Sequence, residues 1–205
     1  MTDWRESLHV WGSAWATVRD LPATADDGQV TIAGDPAEVL LAWPGPDADA
    51  PAPATGAVVH LVTADPAGAR AFAASYGLTE TAALVLLTAQ TDDLDLVPKL
   101  PADAFIAEAP MENYDAVEVA LFDRPVASGR IRLEDGLAVL AGLSVDDGHD
   151  ELLGTFEHAM VAELGEEAFL HGADTLFLVA DTAQGARFAA VEGWTKAADI
   201  LSFTR

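Results

Sequence analysis

Few side chains in this sequence have the type and spacing that chemistry at a protein site requires. Cysteine is absent, which excludes disulfides, thiol nucleophiles and thiolate metal sites. No histidine pair has a metal-ligand spacing such as HExxH, and neither a GxSxG elbow nor a phosphate-binding P-loop occurs. The histidines are His9, His60, His149, His158 and His171. We therefore expect no metal site, and chemistry from carboxylates, single histidines, arginines and backbone groups.

The charge of the chain is strongly acidic. Ten lysines and arginines stand against 34 aspartates and glutamates, which gives a net charge of −24. Such a surface repels phosphate backbones, so nucleic acid is not an expected partner. Two explanations stay open: a solubility or salt-adapted surface, and an electric field that attracts cationic amines.

Length and hydrophobic content predict a folded protein. With 205 residues, 51% of them hydrophobic, the chain can bury the core of one large domain or two small ones. No apolar run approaches the roughly 18 residues of a membrane span, and the N-terminus lacks the pattern of a signal peptide. We expect no membrane partner and a cytoplasmic location.

Residues 1–98 predict an α/β region that opens on an amphipathic helix over Asp3–Leu21. The helix carries an apolar stripe that includes Trp4, Trp11 and Trp15, which is either a docking face or a ligand box. Strands are predicted at Gln29–Ile32, Val39–Trp43, Val58–Thr63 and Ala82–Ala89, and a helix at Pro66–Tyr76 with Asp65 as its N-cap. A surface loop is expected at 44–56 and a linker at 91–101.

Residues 99–205 predict a second α/β region. Its strands are expected at Phe105–Ala107, Ala116–Phe122, Val126–Leu133, Leu137–Val145, Thr175–Ala180 and Ile200–Phe203, with turns at 123–125 and 135–136. A long helix should run from near Asp150 to about His171 with a kink or break at Gly165, and a short one over Gln184–Glu192. A meander followed by helix, strand, helix and strand makes a mixed α/β sheet.

The two regions share an internal similarity. The matching pieces are Gly68–Arg70 with Gly185–Arg187, Phe72–Ala74 with Phe188–Ala190, and Gly77 with Gly193. The offset is 193 − 77 = 116 residues at the last glycines, with a one-residue slip before the phenylalanines. Duplication and chance in an alanine-rich chain both explain this; duplication would make the N-terminal half a degenerate repeat.

Four pieces of the C-terminal half resemble GNAT-type N-acetyltransferases. They are Pro125–Arg130, Leu137–Val145, Gly172–Val179 and the late helix with its glycine-aromatic ending, Ala186–Trp194. Their order is similar to that of the family's second to third strands, the strand before the cofactor loop, the fifth strand and the last helix. The resemblance implies the GNAT fold for about the last ninety residues.

In that family two neighbouring parallel strands splay apart and bind the pantetheine arm of acetyl-CoA, while a helix N-terminus below them holds the pyrophosphate. The resemblance assigns the pantetheine and the thioester to Leu143, Ser144 and Val145. It assigns the pyrophosphate to a loop that includes His149, Leu152, Leu153, Gly154 and Thr155. Arg187 joins this cofactor-binding set. Glu118 is either a general base on the substrate side or a solvent-facing residue of an alternating strand.

The sequence departs from the family pattern at two positions. The usual loop is Gln or Arg, two residues, Gly, one residue, then Gly or Ala. Aligned on Gly154, His149 takes the basic position, Leu152 takes the first glycine, and Asp150 and Glu151 add negative charge. The tyrosine that often protonates the departing thiolate is replaced by Ala189.

These observations lead to two functional hypotheses. The first is acyl transfer from acetyl-CoA to a small-molecule or protein amine. The second is a non-catalytic GNAT-fold module that senses acyl-CoA or binds another protein. We expect two domains, at 1–98 and 99–205, and a homodimer is one assembly that the sequence leaves open.

Overall fold

The computed structural model describes residues 3–26, 28–45 and 56–205, and within them the chain forms four α-helices and eleven strands. The helices are α1 (Leu8–Thr17), α2 (Pro66–Ser75), α3 (Leu153–Leu170) and α4 (Thr182–Ala189). The strands are β1 (Ala23–Asp26), β2 (Gln29–Ile32), β3 (Glu38–Ala42), β4 (Val58–Thr63), β5 (Thr79–Gln90), β6 (Ala104–Pro110), β7 (Asp115–Leu121), β8 (Arg124–Glu134), β9 (Leu137–Val145), β10 (Thr175–Asp181) and β11 (Thr195–Thr204). Most of the loop predicted at 44–56 lies outside the described residues.

The described strands form one mixed sheet whose order is nearly palindromic: β1-β2-β3-β4-β11-β5-β10-β9-β8-β7-β6. If β1 corresponds to β7, β2 to β8, and so on to β5 and β11, then replacing each strand by its counterpart gives the same order read backwards. β6 has no counterpart and lies at one edge. Each half contains one parallel pair, β3 with β4 and β9 with β10. A duplicated unit predicts this symmetry.

The two halves exchange their last strands. β5, which ends the first half, lies between β10 and β11, and β11 lies between β4 and β5. Each half therefore completes the sheet of the other, and the hydrogen bonds of one continuous sheet hold the halves together.

Local contacts repeat with the offset found in the sequence. Asp65 caps α2 by accepting a hydrogen bond from the Gly68 N–H, and Asp181 caps α4 by accepting one from the Gln184 N–H. Both capping residues and both donors are separated by 116 positions, since 181 − 65 and 184 − 68 give the same difference. The repeated caps support duplication as the origin of the internal similarity.

The helices cover the two faces of the sheet unequally. On one face, α2, α3 and α4 pack over the strands, and on the other α1 forms a core with strands of both halves. Trp11 lies 6.2 Å from Phe177 of the second half, and Trp15 lies 5.5 Å from His60 of the first half, between ring centroids. The tryptophan stripe is therefore the docking face of α1.

Several predicted elements are confirmed and others need correction. The bounds of β2, β4 and β9 and the Asp65 cap match the prediction. The first helix begins at Leu8 rather than Asp3, because residues 4–7 form turns. In these turns the Asp3 carboxylate accepts a hydrogen bond from the Arg5 N–H, and the Asp3 carbonyl accepts hydrogen bonds from the backbone N–H and the hydroxyl group of Ser7. The last helix spans Thr182–Ala189 instead of Gln184–Glu192, since Asp181 is its cap.

Two local predictions were wrong for reasons of tertiary packing and turn geometry. α3 continues without a break through Gly165, which permits close approach, because a Cβ there would lie 2.6 Å from Leu96 Cδ2. The β7–β8 turn consists of Phe122 and Asp123, at φ values of 51° and 60°, rather than residues 123–125. Two positive φ values match the twist of a two-residue hairpin, although these residues rarely adopt them.

A glycine substitution tests the packing of α4 on the exchanged strand. In Gly185→Ala the added methyl group overlaps Val85 of β5, and we expect a loss of about 1–3 kcal/mol in the free energy of unfolding. Gly154→Ala is the matched control, because no atom lies within 4 Å of its Cβ position. The control should be neutral or stabilising by up to about 1 kcal/mol. Equal effects in denaturant unfolding would contradict the close contact.

Candidate functional site

The candidate site begins where β9 and β10 part. The two strands pair in parallel only from Leu137–Leu140 and Thr175–Leu178, although β9 continues to Val145 and β10 to Asp181. A register shift between β8 and β9 and a φ of 66° at Gly142 mark a bulge at the point of separation. The separation leaves the β10-facing backbone of Leu143, Ser144 and Val145 without a strand partner.

A buried polar cluster lies beside this opening. The side-chain amide of Gln184 donates hydrogen bonds to the Leu143 carbonyl at 3.1 Å and to Glu157 Oε1 at 2.8 Å. Arg187 donates to both oxygens of Glu157, from Nε at 2.9 Å and from Nη2 at 2.6 Å. The Glu157 side chain is 3% exposed, whereas that of Arg187 is 38% exposed. The hydrogen bonds that Arg187 donates to Glu157 raise the pKa of its guanidinium.

The predicted pyrophosphate loop leads into α3 through a short 3-10 turn at Asp150–Leu152. Leu152 and Leu153 are half-buried, with Leu152 packed against the core, while Gly154 and Thr155 are exposed. The ring of His149 lies 6.4 Å from that of Phe156, and its buried Nδ1 atom has no hydrogen-bond partner among the described residues.

An open cleft of about 550 Å³ borders the same loop. Arg124, Asp146, Asp147 and His149 line it together with the hydrophobic wall Leu121, Phe122, Pro125 and Val126. No hydrogen bond or ion pair joins Arg124 to any described residue, in contrast to the neutralised Arg187. The cleft thus offers one unpaired cation beside two carboxylates.

Glu118 lies apart from the opening, but a line of paired residues across the sheet connects it to Ser144 of the opening. It is exposed on β7 opposite Ser128 of β8, which in turn pairs with Ser144 of β9. The hydroxyl oxygens of the two serines are 3.2 Å apart. A full strand separates Glu118 from β9, so its carboxylate can act near the opening only on a group that spans the serines.

The structure brings most of the predicted site residues into two neighbouring groups. Leu143, Ser144 and Val145 form one side of the opening, and 149–155 forms the loop at the start of α3. Arg187 reaches the opening only through Glu157. Sequence reasoning missed Glu157 and Gln184, whose signals are weak: a carboxylate next to the apolar stripe of α3, and an amide at the third position of α4.

A second buried polar cluster has the residue types of a hydrolase triad. Ser202 Oγ lies 2.8 Å from His60 Nδ1, and His60 Nε2 lies 2.9 Å from Glu38 Oε2. Ser202 and His60 are only 4% and 6% exposed, so no substrate reaches the hydroxyl group. Arg19, just after α1, forms two hydrogen bonds with the Glu38 carboxylate. The cluster therefore anchors α1 to the first half of the sheet.

No metal-binding group of three histidine or acidic residues occurs in 3–26, 28–45 and 56–205. Across the same ranges, no helix combines the length and apolarity that crossing a membrane demands.

Many of the solved structures with similar folds carry names from one family. The chain is similar to a GCN5-related N-acetyltransferase from Kribbella flavida, with a TM-score of 0.66, 15% identity, and coverage of 99% of this chain and 96% of that one. It is similar to a GCN5-related N-acetyltransferase from Sphaerobacter thermophilus, with a TM-score of 0.58, 10% identity and coverage of 86% and 76%. No family model and no curated protein matches the sequence.

A third similar structure bears on the repeat. It is a tandem GNAT protein from the clavulanic acid biosynthesis pathway, with a TM-score of 0.51, 13% identity, and coverage of 72% of this chain and 62% of that one. Together these likenesses establish that the chain has the GNAT fold and agree with a duplicated architecture.

The α1 anchor gives a pH prediction. Burial raises the pKa of Glu38, but hydrogen bonds from His60 and Arg19 and the charge of Arg19 outweigh it and lower the pKa to about 2. A lowered pKa adds stability above the ordinary value of 4.5, and this contribution is lost as the pH falls towards 2. Glu38→Gln should therefore cost up to about 3 kcal/mol of unfolding free energy at pH 7 and little at pH 2.

Glu80→Gln is the control for this measurement. Glu80 pairs with Arg70 on the surface, and such exposed pairs contribute about 0–1 kcal/mol. Denaturant unfolding of both variants between pH 7 and pH 2 decides the matter. A difference between Glu38→Gln and the natural chain that is as small as the control's, or independent of pH, would contradict the anchor.

Proposed function

We propose that this chain binds an acyl-CoA between β9 and β10 and transfers the acyl group to an amine. The observation that carries the proposal is the separation of the two parallel strands after Leu140 and Leu178. Parallel strands that part in a sheet core expose backbone donors and acceptors, which are costly to leave unsatisfied. A linear, amide-bearing arm such as pantetheine is a chemical match for such an edge.

The residues around the opening have distinct roles in this proposal. The backbone of Leu143, Ser144 and Val145 holds the arm and orients the thioester carbonyl. Bound acyl-CoA supplies the activated acyl group. The amine approaches from the face of Ser144 and Ser128, and its nitrogen bonds to the thioester carbon as the C–S bond to CoA breaks. Glu118 accepts the proton of the amine through a bridging group, and water gives a proton to the departing thiolate.

The phosphate end of the ligand lies near groups of both kinds, some that attract an anion and some that repel it. The start of α3 and the loop 149–155 provide backbone groups at a helix N-terminus, and Arg124 provides an unpaired cation. Asp146 and Asp147 oppose a polyanion from the same cleft. Phosphate binding is therefore weak at low ionic strength, and the neutral arm contributes most of the affinity.

A second function, a non-catalytic acyl-CoA sensor or protein-interaction module, has its own support. The Leu143 carbonyl already accepts a hydrogen bond from Gln184, so the opening satisfies part of its backbone without a ligand. Ala189 occupies the position at which the family often carries a proton-donating tyrosine. Binding without turnover of any amine would favour this second function.

Titration calorimetry with acetyl-CoA tests the proposed function. We expect micromolar binding that tightens severalfold between low salt and about 1 M salt, because salt screens the repulsion between a protein of net charge −24 and a polyanion. Binding should be followed by screening of amines for acyl transfer. Absence of binding at both ionic strengths would overturn the proposal.

Arg124→Ala tests the assignment of the phosphate end. Loss of a charge-assisted contact should weaken acetyl-CoA binding about tenfold and leave the affinity for pantetheine, which lacks phosphate, unchanged. Arg70→Ala removes the same charge at a site where the arginine is paired with Glu80, and it should change neither affinity. Equal weakening by both variants would indicate a general charge effect instead of a contact.

A further inference from the structure

The Gln184 side chain occupies part of the opening itself. Gln184 is 7% exposed, and its amide nitrogen uses both hydrogens, one on the Leu143 carbonyl and one on Glu157. The backbone N–H of the same residue is held by the Asp181 cap at 2.8 Å. The side-chain amide of Gln184 therefore already occupies the edge of β9 that does not pair with β10.

Two further residues fix the orientation of this amide. Glu157 is buried and accepts hydrogen bonds from Gln184 and Arg187, and Arg187 approaches it from the partly exposed side. A buried carboxylate needs such partners, since an uncompensated charge in the core is costly. The ion pair thus holds the carboxylate where it, in turn, holds Gln184 against β9.

The first half of the chain offers an internal comparison. In the capping turn the residue that takes the place of Gln184 is Gly68, which has no side chain, although the sequence match one residue later pairs Gly68 with Gly185. In that half β3 and β4 pair along the whole of Glu38–Ala42 and Val58–Val62, without an opening. A side-chain amide is therefore found in the repeat whose parallel strands part, and glycine in the repeat whose strands stay paired.

We propose that Gln184 is an internal occupant of the acyl-carrier slot, which an incoming amide-bearing arm must displace from the Leu143 carbonyl. The inference rests on the proposed function, because it takes the β9–β10 opening to be that slot. The arm and Gln184 offer the same donor group to the same acceptor, so they compete one for one. Gln184 thereby sets the affinity for the carrier and closes the slot when no carrier is bound.

Calorimetry on three proteins tests this competition, with acetyl-CoA and pantetheine as probes. Gln184→Ala removes both the amide and its volume, and both probes should bind about five- to tenfold more tightly than to the natural chain. Gln184→Met removes the same donor but fills a similar volume, so it should also bind both probes more tightly, because the arm then meets no competitor for the Leu143 carbonyl. Gln184→Asn, too short to reach both acceptors, gives the same expectation as alanine if the alanine variant does not fold.

The outcomes separate this inference from the proposed function. Unchanged affinity in Gln184→Ala, with binding by the natural chain, overturns the inference and leaves the proposed function intact. Binding by Gln184→Ala and Gln184→Met but not by the natural chain shows that Gln184 closes the slot in the natural chain, and it overturns acyl transfer as the function of the natural chain. Tightening by alanine but not by methionine overturns the inference, because the volume of the side chain and not its hydrogen bond then limits binding. Absence of binding by all variants overturns both.

Discussion

The exchange of the last strands is the constraint on which the rest of the structure depends. β5 is hydrogen-bonded to β10 along one edge and to β11 along the other, so neither half can close its own sheet. Separating the halves would expose long unpaired strand edges in the middle of the core, which folded proteins avoid. The exchange therefore pairs β10 with β5 along its whole length, whereas its other edge pairs with β9 only from Thr175 to Leu178.

The backbone groups at the opening between β9 and β10 need hydrogen-bond partners for stability, and a bound ligand would need the same groups. Backbone groups in a core must be satisfied, and Gln184 with Glu157 does so for the Leu143 carbonyl. A ligand that uses the same carbonyl must replace that hydrogen bond. A sensor or binding module tolerates a persistent internal occupant, whereas a transferase must exchange it at every turnover. The position of this equilibrium distinguishes the two functions.

The features predicted from sequence are those set by local patterns. The bounds of β9, the Asp65 cap and the turn at Asp135–Gly136 follow from alternation, capping preference and turn chemistry within a few residues. The 116-residue offset indicated a repeat as one of two explanations, but not the strand exchange, which is a pairing between distant segments. The Gln184 contact joins residues 41 apart, and no local pattern marks it. The Phe122–Asp123 turn uses residues that seldom take positive φ, so sequence placed it one residue late.

Hydrogen–deuterium exchange with and without saturating acetyl-CoA tests the central claim that the β9–β10 opening receives the acyl carrier. The account predicts slower exchange in peptides covering 142–146 and 179–182, because the arm covers their backbone and reduces local opening. Peptides covering β2 and β3, in the half whose parallel strands stay paired, should be unchanged. Unchanged exchange at the opening, or protection confined to the first half of the chain, would contradict the account.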